Sequence, residues 1–302
     1  MDRIIGRYGK FGAAKTFIIF AGIHGNEKSG IIALKELFAE FEEQNFDFDG
    51  TILGIAGNIK ALEKNSRFLH KDLNRQWYLS KIKKLGALPF GLLNTIEDVE
   101  QKEILELIQD IVDDKGTKLM LIDLHTTSAA GGCFCITNTN PRSTELALQV
   151  PVPVINGMTS KISGTTIEYF DQLGLPAIAF EAGQHTEPEA VNRIKAGLVS
   201  IFVKTSCLDA SALETYQADY DKMERDFAHL PRNVNVLYRC PVEDEDAFVM
   251  NEGYANFQEI TKGELLARDK NGPIFSPFDG LILMPLYQKK GSDGFFIVEE
   301  LK

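Results

Sequence analysis

The stretch Ala21-Gly22-Ile23-His24-Gly25-Asn26-Glu27-Lys28-Ser29-Gly30 decides the fold of this chain. The apolar run 16–20 before it is typical of a buried strand, and the apolar residues of 31–38 after it recur at helical spacing. A strand that turns directly into a helix indicates an open α/β sheet, which keeps its site at the carboxyl ends of its strands. The stretch therefore predicts an α/β fold and places His24 and Glu27 at that edge of the sheet.

Strand and helix patterns alternate through the first two hundred residues. The predicted strands are 15–22, 51–58, 118–124, 133–137, 152–155 and 177–181, and the predicted helices are 29–43, 97–114, 161–173 and 187–205. Near-continuous apolar strands between helices are typical of a sheet that is covered on both faces. We therefore expect a mixed sheet with helices on both faces.

The pattern changes near residue 208. A polar, helical stretch at 211–229 leads into short strand patterns, and these are separated by turn signals such as Asn271-Gly272-Pro273. The strand patterns are Val234–Tyr238, Ala247–Met250, Gly280–Pro285 and Phe295–Val298. A chain of 302 residues is also long for a single core. We expect an α/β domain at 1–210 that carries the site, followed at 211–302 by a linker helix and a small all-β domain that helps to cover it.

The composition of the chain argues against some classes of binding partner. The formal net charge of −11 argues against non-specific binding to nucleic acid or to a membrane surface. The sequence has no run of eighteen apolar residues and no secretory signal pattern, so we expect a cytoplasmic protein. Its four cysteines lack a zinc-ribbon spacing, and reduced thiols suit that compartment.

A third histidine completes a candidate metal site. His125 lies just past the buried strand pattern 118–124, so it falls at the same sheet edge as His24 and Glu27. Two imidazoles and one carboxylate suit a catalytic zinc, which takes three protein ligands and keeps one position open, although cobalt or manganese would also suit them. A lone histidine here would more often cap the following loop, but the pair at 24 and 27 favours the metal.

A metal-activated water needs a base, and Glu181 is the candidate. It follows the apolar strand pattern that ends at Phe180, with a glycine two residues later. Such a carboxylate could take a proton from the water and pass it to a leaving nitrogen. The alternative is a surface carboxylate on a loop, and the sequence alone leaves the two interpretations about even.

The segment 67–77 supplies candidate anion-binding groups. A guanidinium is a fixed fork of donors that matches a carboxylate, so Asn74 and Arg75 could clamp a substrate carboxylate. Arg67 could stabilise the oxyanion of a tetrahedral intermediate. Taken alone, both arginines would more often form surface ion pairs.

Four motifs together resemble one family. They are H-G-N-E at 24–27, R-x(6)-N-R with D-L-N-R at 67–75, D-L-H-T-T-S at 123–128 and F-E-A-G at 180–183. In this order they are similar to the succinylglutamate desuccinylase/aspartoacylase family, a branch of the zinc carboxypeptidase-like hydrolases. The resemblance implies hydrolysis of an N-acyl amino acid. It also implies one zinc per chain, bound by His24, Glu27 and His125, with Glu181 as general base and acid.

The same resemblance assigns the groups that bind substrate. It implies that Arg67 polarises the scissile carbonyl and that Asn74 with Arg75 holds the α-carboxylate. It also implies that Tyr287, in a fragment similar to the family's C-terminal β domain, helps to bind substrate. Aspartoacylases place an arginine ten residues before the catalytic glutamate, where this chain has Asp171. An aspartate there would repel an acidic side chain, so we do not expect N-acetylaspartate specificity.

The expected partner is therefore a small, anionic N-acyl amino acid, and the chain could form a homo-oligomer. Two other functions stay open. A metallocarboxypeptidase acting on a small peptide would use the same groups, and a pocket covered by Tyr287 would speak against it. A metal-binding protein without catalysis would hold zinc and cleave nothing.

Overall fold

The computed structural model describes residues 1–10, 12–114 and 116–301. Its strands are β1 (Ile4–Gly9), β2 (Lys15–Ala21), β3 (Thr51–Ala56), β4 (Lys118–Thr127), β5 (Phe134–Thr137), β6 (Val154–Asn156), β7 (Ala177–Gln184), β8 (Asn233–Pro241), β9 (Val249–Met250), β10 (Glu259–Ile260), β11 (Leu265–Asp269), β12 (Gly272–Phe275), β13 (Gly280–Leu283) and β14 (Asp293–Glu300). Its α-helices are α1 (Ser29–Gln44), α2 (Ile59–Glu63), α3 (Leu79–Ala87), α4 (Ile96–Asp113), α5 (Pro141–Ala147), α6 (Thr166–Gln172), α7 (Glu189–Lys204) and α8 (Gln217–Phe227). Short 3-10 helices include Leu73–Arg75 and Met158–Ser160.

One large mixed sheet organises the chain. Eleven of the described strands follow the order β1-β3-β2-β4-β7-β5-β6-β8-β14-β13-β10, and a separate small sheet has the order β12-β11-β9. The central strands β3, β2, β4 and β7 are parallel, so their carboxyl ends meet at one edge. The predicted mixed α/β fold is confirmed.

The sheet is covered on both faces because its central strands are apolar throughout. In β2, Phe17 and Ile19 point into one core, and Ile18 and Phe20 point into the other. This follows from the alternation of side chains along a strand. Helices α1 and α7 pack on the first face, and helices α4 and α6 pack on the second.

The predicted elements of the α/β part are present, with ends that shift by a few residues. The predicted helix at 161–173 is shorter, because a 3-10 helix and a loop precede α6. The sequence analysis did not predict β1, which pairs antiparallel with β3 at one border of the sheet. None of the described helices has the length and apolarity that a membrane span requires.

The C-terminal strands continue the large sheet. Strand β8 pairs in parallel with β6, and β14, β13 and β10 follow it in antiparallel order. The predicted division near residue 210 stays a prediction, and the two parts share one hydrogen-bonded sheet. This continuity brings the segment between β13 and β14 to the carboxyl edge of the central strands.

Candidate metal centre and active site

The turn between β2 and α1 is shaped by close backbone packing. A Cβ atom on Gly25 would lie 2.1 Å from the carbonyl carbon of Ala61, so only glycine fits there. The backbone N–H of Gly25 donates to the carbonyl of Arg67 at 3.1 Å. The turn that carries His24 and Glu27 is therefore held against the loop that carries the candidate anion-binding residues.

The sheet register places the other two candidate groups side by side. His125 on β4 lies directly opposite Glu181 on β7 in the parallel ladder. The ligand atoms of His24, Glu27 and His125 all lie within 4.8 Å of one another, and the three side chains are buried. The Nδ1 atoms of His24 and His125 each lie 2.8 Å from a separate carboxylate oxygen of Glu27. The structure thus brings together residues that are about a hundred positions apart.

The outward nitrogens of both imidazoles are held by carboxylates. Nε2 of His24 lies 3.1 Å from Oδ1 of Asp72, and Nε2 of His125 lies 3.0 Å from Oδ2 of Asp123. Metal-binding histidines usually donate their second N–H to such a group, which fixes the ring and the tautomer. The Nδ1 atoms are left facing one point beside Glu27, so this donor set fits a zinc ion.

The charges of this cluster stabilise an ionised carboxylate at Glu27. Burial alone would raise the pKa of Glu27, but His24 and His125 outweigh burial and hold the pKa well below its usual range. Burial would lower the pKa of His125, whereas Asp123 and Glu27 raise it well above the usual value. Glu27 and His125 therefore each favour the charged form of the other in this buried cluster.

Glu181 is a buried carboxyl group on the strand beside His125. It is 8% exposed, and its Oε2 atom has no hydrogen-bond partner among the described residues. Burial raises the pKa of Glu181 to about 8. A carboxyl group whose pKa lies near neutrality can both accept and donate a proton. The alternative of an exposed loop carboxylate does not describe this side chain.

Arg67 lies in the pocket as part of an ion-pair network. Its Nε and Nη2 atoms donate to Oδ2 of Asp72 at 3.1 and 3.0 Å, and its Nη1 atom is 3.5 Å from Oε1 of Glu27. Burial would raise the pKa of Asp72, but Arg67 and His24 lower it well below its usual range. The network fixes the guanidinium beside the candidate metal ligands instead of leaving it on the surface.

Asn74 and Arg75 form the next wall of the pocket. The side chain of Asn74 accepts from the backbone N–H of Thr166 at 2.9 Å. Arg75 donates to the Asn74 carbonyl at 2.8 Å and to Oδ2 of Asp293 at 2.5 Å. The other oxygen of Asp293 accepts from Arg239. Burial would raise the pKa of Asp293, but Arg75 and Arg239 outweigh it and lower the pKa.

The loop that carries Arg67, Asn74 and Arg75 is held by hydrogen bonds to Glu97, in the first turn of α4. The Glu97 carboxylate is fully buried and accepts from the backbone N–H of Leu69 at 2.7 Å and of His70 at 3.2 Å, and from the Asn58 side chain at 3.2 Å. A longer contact of 3.4 Å reaches the N–H of Lys71. Burial would raise the pKa of Glu97, but the Leu69 N–H and the Asn58 amide lower it.

Tyr287 and Asp171 lie outside the lining of the pocket. The Tyr287 hydroxyl donates to the Asn251 carbonyl at 2.8 Å and accepts from the Tyr254 N–H at 2.9 Å, and the side chain does not line the pocket. Its role in substrate binding stays a prediction.

The Asp171 carboxylate accepts from the Thr139 hydroxyl at 2.6 Å and also lies outside the pocket lining. The expected repulsion of an acidic side chain by Asp171 therefore has no support in this arrangement.

Sequence reasoning missed three carboxylates of the site: Asp72, Asp123 and Asp293. A signal existed for Asp123, because it precedes His125 by two residues on a strand and so shares its face. Asp72 lies inside the D-L-N-R motif but was given no role. No local signal marks Asp293, since its partners Arg75 and Arg239 are distant in sequence.

The fold and the site define an α/β protein with a candidate mononuclear metal centre. A family profile described as "Succinylglutamate desuccinylase/Aspartoacylase catalytic domain" matches residues 13–202. The chain belongs to this family. The resemblance inferred from the four motifs is thus confirmed.

Individual relatives share limited sequence identity with this chain. The chain is 34% identical over 120 residues to a probable aspartoacylase of Nostoc sp., covering 39% of this chain and 37% of that protein. It is 22% identical over 274 residues to an N-acyl-aromatic-L-amino acid amidohydrolase (carboxylate-forming) of Xenopus tropicalis, covering 84% of each. The matched segments span only 19%, 37% and 33% of the length of the first curated relatives.

The fold is also seen in a solved structure. A succinylglutamate desuccinylase/aspartoacylase from Rhodobacter sphaeroides superposes with a TM-score of 0.67 at 17% identity, covering 96% of this chain and 87% of that one. At this identity the likeness concerns the fold alone. It includes the C-terminal strands, which lie beyond the segment matched by the family profile.

Proposed function

We propose that this protein hydrolyses the amide bond of an N-acyl amino acid and that it uses one zinc ion per chain. Family membership supports the class of reaction. The observation that carries the mechanism is the group of three ligand atoms within 4.8 Å of one another beside a buried carboxylate, Glu181, on the neighbouring strand. The segment after β13 contributes Met284, Leu286 and Gln288 to the lining of the pocket around them, and a pocket covered in this way favours a small substrate over a peptide.

His24, Glu27 and His125 would hold the metal. When bound, zinc supplies Lewis-acid chemistry that polarises an amide carbonyl and makes water more acidic. Beside a bound cation, the Glu181 carboxyl would be held in its ionised, basic form. Asp72 and Asp123 orient the two imidazoles, as their contacts with the Nε2 atoms indicate.

The reaction itself is assigned to the remaining pocket residues. Glu181 takes the proton of the attacking water and delivers it to the leaving nitrogen, so that the amino acid departs as a neutral amine. Arg67 donates to the oxygen that becomes negative in the tetrahedral intermediate. Asn74 and Arg75 hold the α-carboxylate, which orients the scissile bond between the metal ligands and Glu181.

The decisive experiment separates zinc binding from turnover. Glu181→Gln preserves the shape of the side chain but cannot accept a proton, so we expect one zinc per chain and a fall in turnover of about 10³-fold. Zinc is measured by elemental analysis, and turnover by amine release from a panel of acetyl- and succinyl-amino acids. Glu145→Gln, at an exposed position on α5, is the matched control.

Two results would overturn the assignment. Near-normal turnover of Glu181→Gln would remove the proposed base, and loss of its zinc would make Glu181 a ligand. A wild-type protein that binds zinc and cleaves no amide in the panel would support the non-catalytic alternative.

A further inference from the structure

One part of the pocket lining, which we call the apolar wall, consists of hydrophobic side chains. Six residues from separate elements form it: Ile136, Met158, Ile162, Ile167, Met284 and Phe296. Ile136 on β5 pairs with Ala179 on β7, which lies two residues before Glu181 and so on the same face of the strand. Ala179 also lines the pocket. A substrate group that enters here meets aliphatic and aromatic carbon.

The positive charges that face the pocket are already paired. Among the described residues, the arginines and lysines that line it are Arg67 and Arg75. Arg67 is paired with Asp72, and Arg75 is paired with Asp293. Arg239 reaches Asp293 from the other side, so this cluster holds two cations and one anion. One substrate carboxylate can be neutralised there, and a second would remain without a partner.

The apolar wall adjoins the end of the pocket that would hold the α-carboxylate. Phe296 lies on the same strand as Asp293, the partner of Arg75. Ile162 directly follows Lys161, and Met158 lies three residues before it; the Lys161 carbonyl accepts from Arg239 at 3.4 Å. The group next to the α-carboxylate in an N-acyl amino acid is the side chain on its α-carbon. The apolar wall is therefore placed to receive that side chain.

We infer that the preferred substrates are N-acyl amino acids with an apolar side chain, and that Ile162 and Ile167 belong to the surface that selects them. This inference rests on the proposed amide hydrolysis and adds its substrate class. The aspartate at position 171 plays no part in it, because its carboxylate is bonded to Thr139 outside the pocket. Acidic side chains are excluded by an apolar wall without a free cation.

The test compares two substrates of similar size, N-acetyl-L-leucine and N-acetyl-L-aspartate, with zinc-loaded wild-type protein. We expect kcat/KM to favour the leucine compound by about 100-fold, from burial of one aliphatic side chain. N-acetyl-L-alanine is the reference, because its methyl group barely reaches the wall.

Two variants locate the selectivity. Ile162→Lys adds a cation at a half-buried loop position and should raise kcat/KM for the aspartate compound at least tenfold while lowering it for the leucine compound. Ile32→Lys, on the exposed face of α1 at 45% exposure, is the control. Ile136→Ala should lower kcat/KM for the leucine compound more than for the alanine compound, and urea unfolding of the same variant checks that this core substitution leaves the protein folded.

The outcomes separate this inference from the proposed function. The apolar substrate class would be overturned if the aspartate compound were cleaved as fast as the leucine compound. It would also be overturned if both wall variants kept the selectivity of the wild type. Neither result would count against amide hydrolysis. If protein with one zinc per chain cleaved none of the three amides, both the apolar substrate class and the proposed amide hydrolysis would be overturned.

Discussion

Replacement of Glu97 by glutamine tests how the loop of the site is held. The carboxylate accepts strongly from the Leu69 N–H at 2.7 Å and also from the His70 N–H and the Asn58 side chain. The amide of glutamine keeps one acceptor oxygen but turns its NH₂ group toward backbone donors. A hydrogen bond to a buried charged group contributes about 1.5–3 kcal/mol, so losing one or two of them should cost about 3 kcal/mol of unfolding free energy.

The effect should depend on pH with a definite sign. The pKa of Glu97 is lowered in the folded protein, so its contribution to stability is present above the pKa of an unfolded glutamate, about 4.3. That contribution is lost as the pH falls through the folded pKa. The difference in stability between wild type and Glu97→Gln should therefore be largest near pH 7 and should shrink in acid.

The assay is urea unfolding followed by fluorescence of Trp77. Trp77 is the single tryptophan of the chain and is fully buried, in contact with Phe20. The matched control is Asp110→Asn, at an exposed position on the same helix. Equal urea midpoints for Glu97→Gln and wild type at pH 7, or a difference that grows in acid, would refute the reasoning.

Three further predictions follow from the same structure. Asp123→Asn should weaken zinc binding about 10–100-fold, because the His125 ring loses its anionic partner, and a competitive chelator titration that finds equal affinity would contradict this. Gly25→Ala should cost about 3 kcal/mol in urea unfolding, because its Cβ would meet the Ala61 backbone at 2.1 Å. Gly86→Ala, with no atom within 4 Å of its Cβ, should not destabilise the protein. Removal of zinc should lower the unfolding temperature. Compared with protein in free zinc at a thousand times its Kd, the free energy of unfolding should fall by about 4 kcal/mol. An unchanged calorimetric scan after chelation would argue against a zinc site.

The sequence revealed the parts of the site that lie at the ends of buried strands. Periodicity located β2, β4 and β7, and the carboxyl ends of parallel strands meet, so the approach of His125 and Glu181 to the first turn was predictable. Their separation in sequence was no obstacle, because the sheet register depends on apolar patterns that can be seen locally.

The remainder depends on tertiary contacts that no local pattern encodes. Asp293 reaches Arg75 only because the C-terminal strands join the same sheet, and strand order cannot be deduced from the strands themselves. Strand β1 is half-exposed and short, so its pattern is weak. The orientation of Tyr287 is set by its hydroxyl bonds to two backbone groups of another loop, which are equally invisible in the sequence.

The pairing of β6 with β8 limits where the chain can be cut. A fragment that stopped at residue 210 would leave β6, Val154–Asn156, with one row of unpaired backbone donors and acceptors. Such an open border recruits strands from other molecules. The cut would also strip Arg75 of its carboxylate partner and uncover the apolar side chain of Ile155. A shortened expression product should therefore precipitate, and insertions for labelling belong in the turns of the small sheet β12-β11-β9.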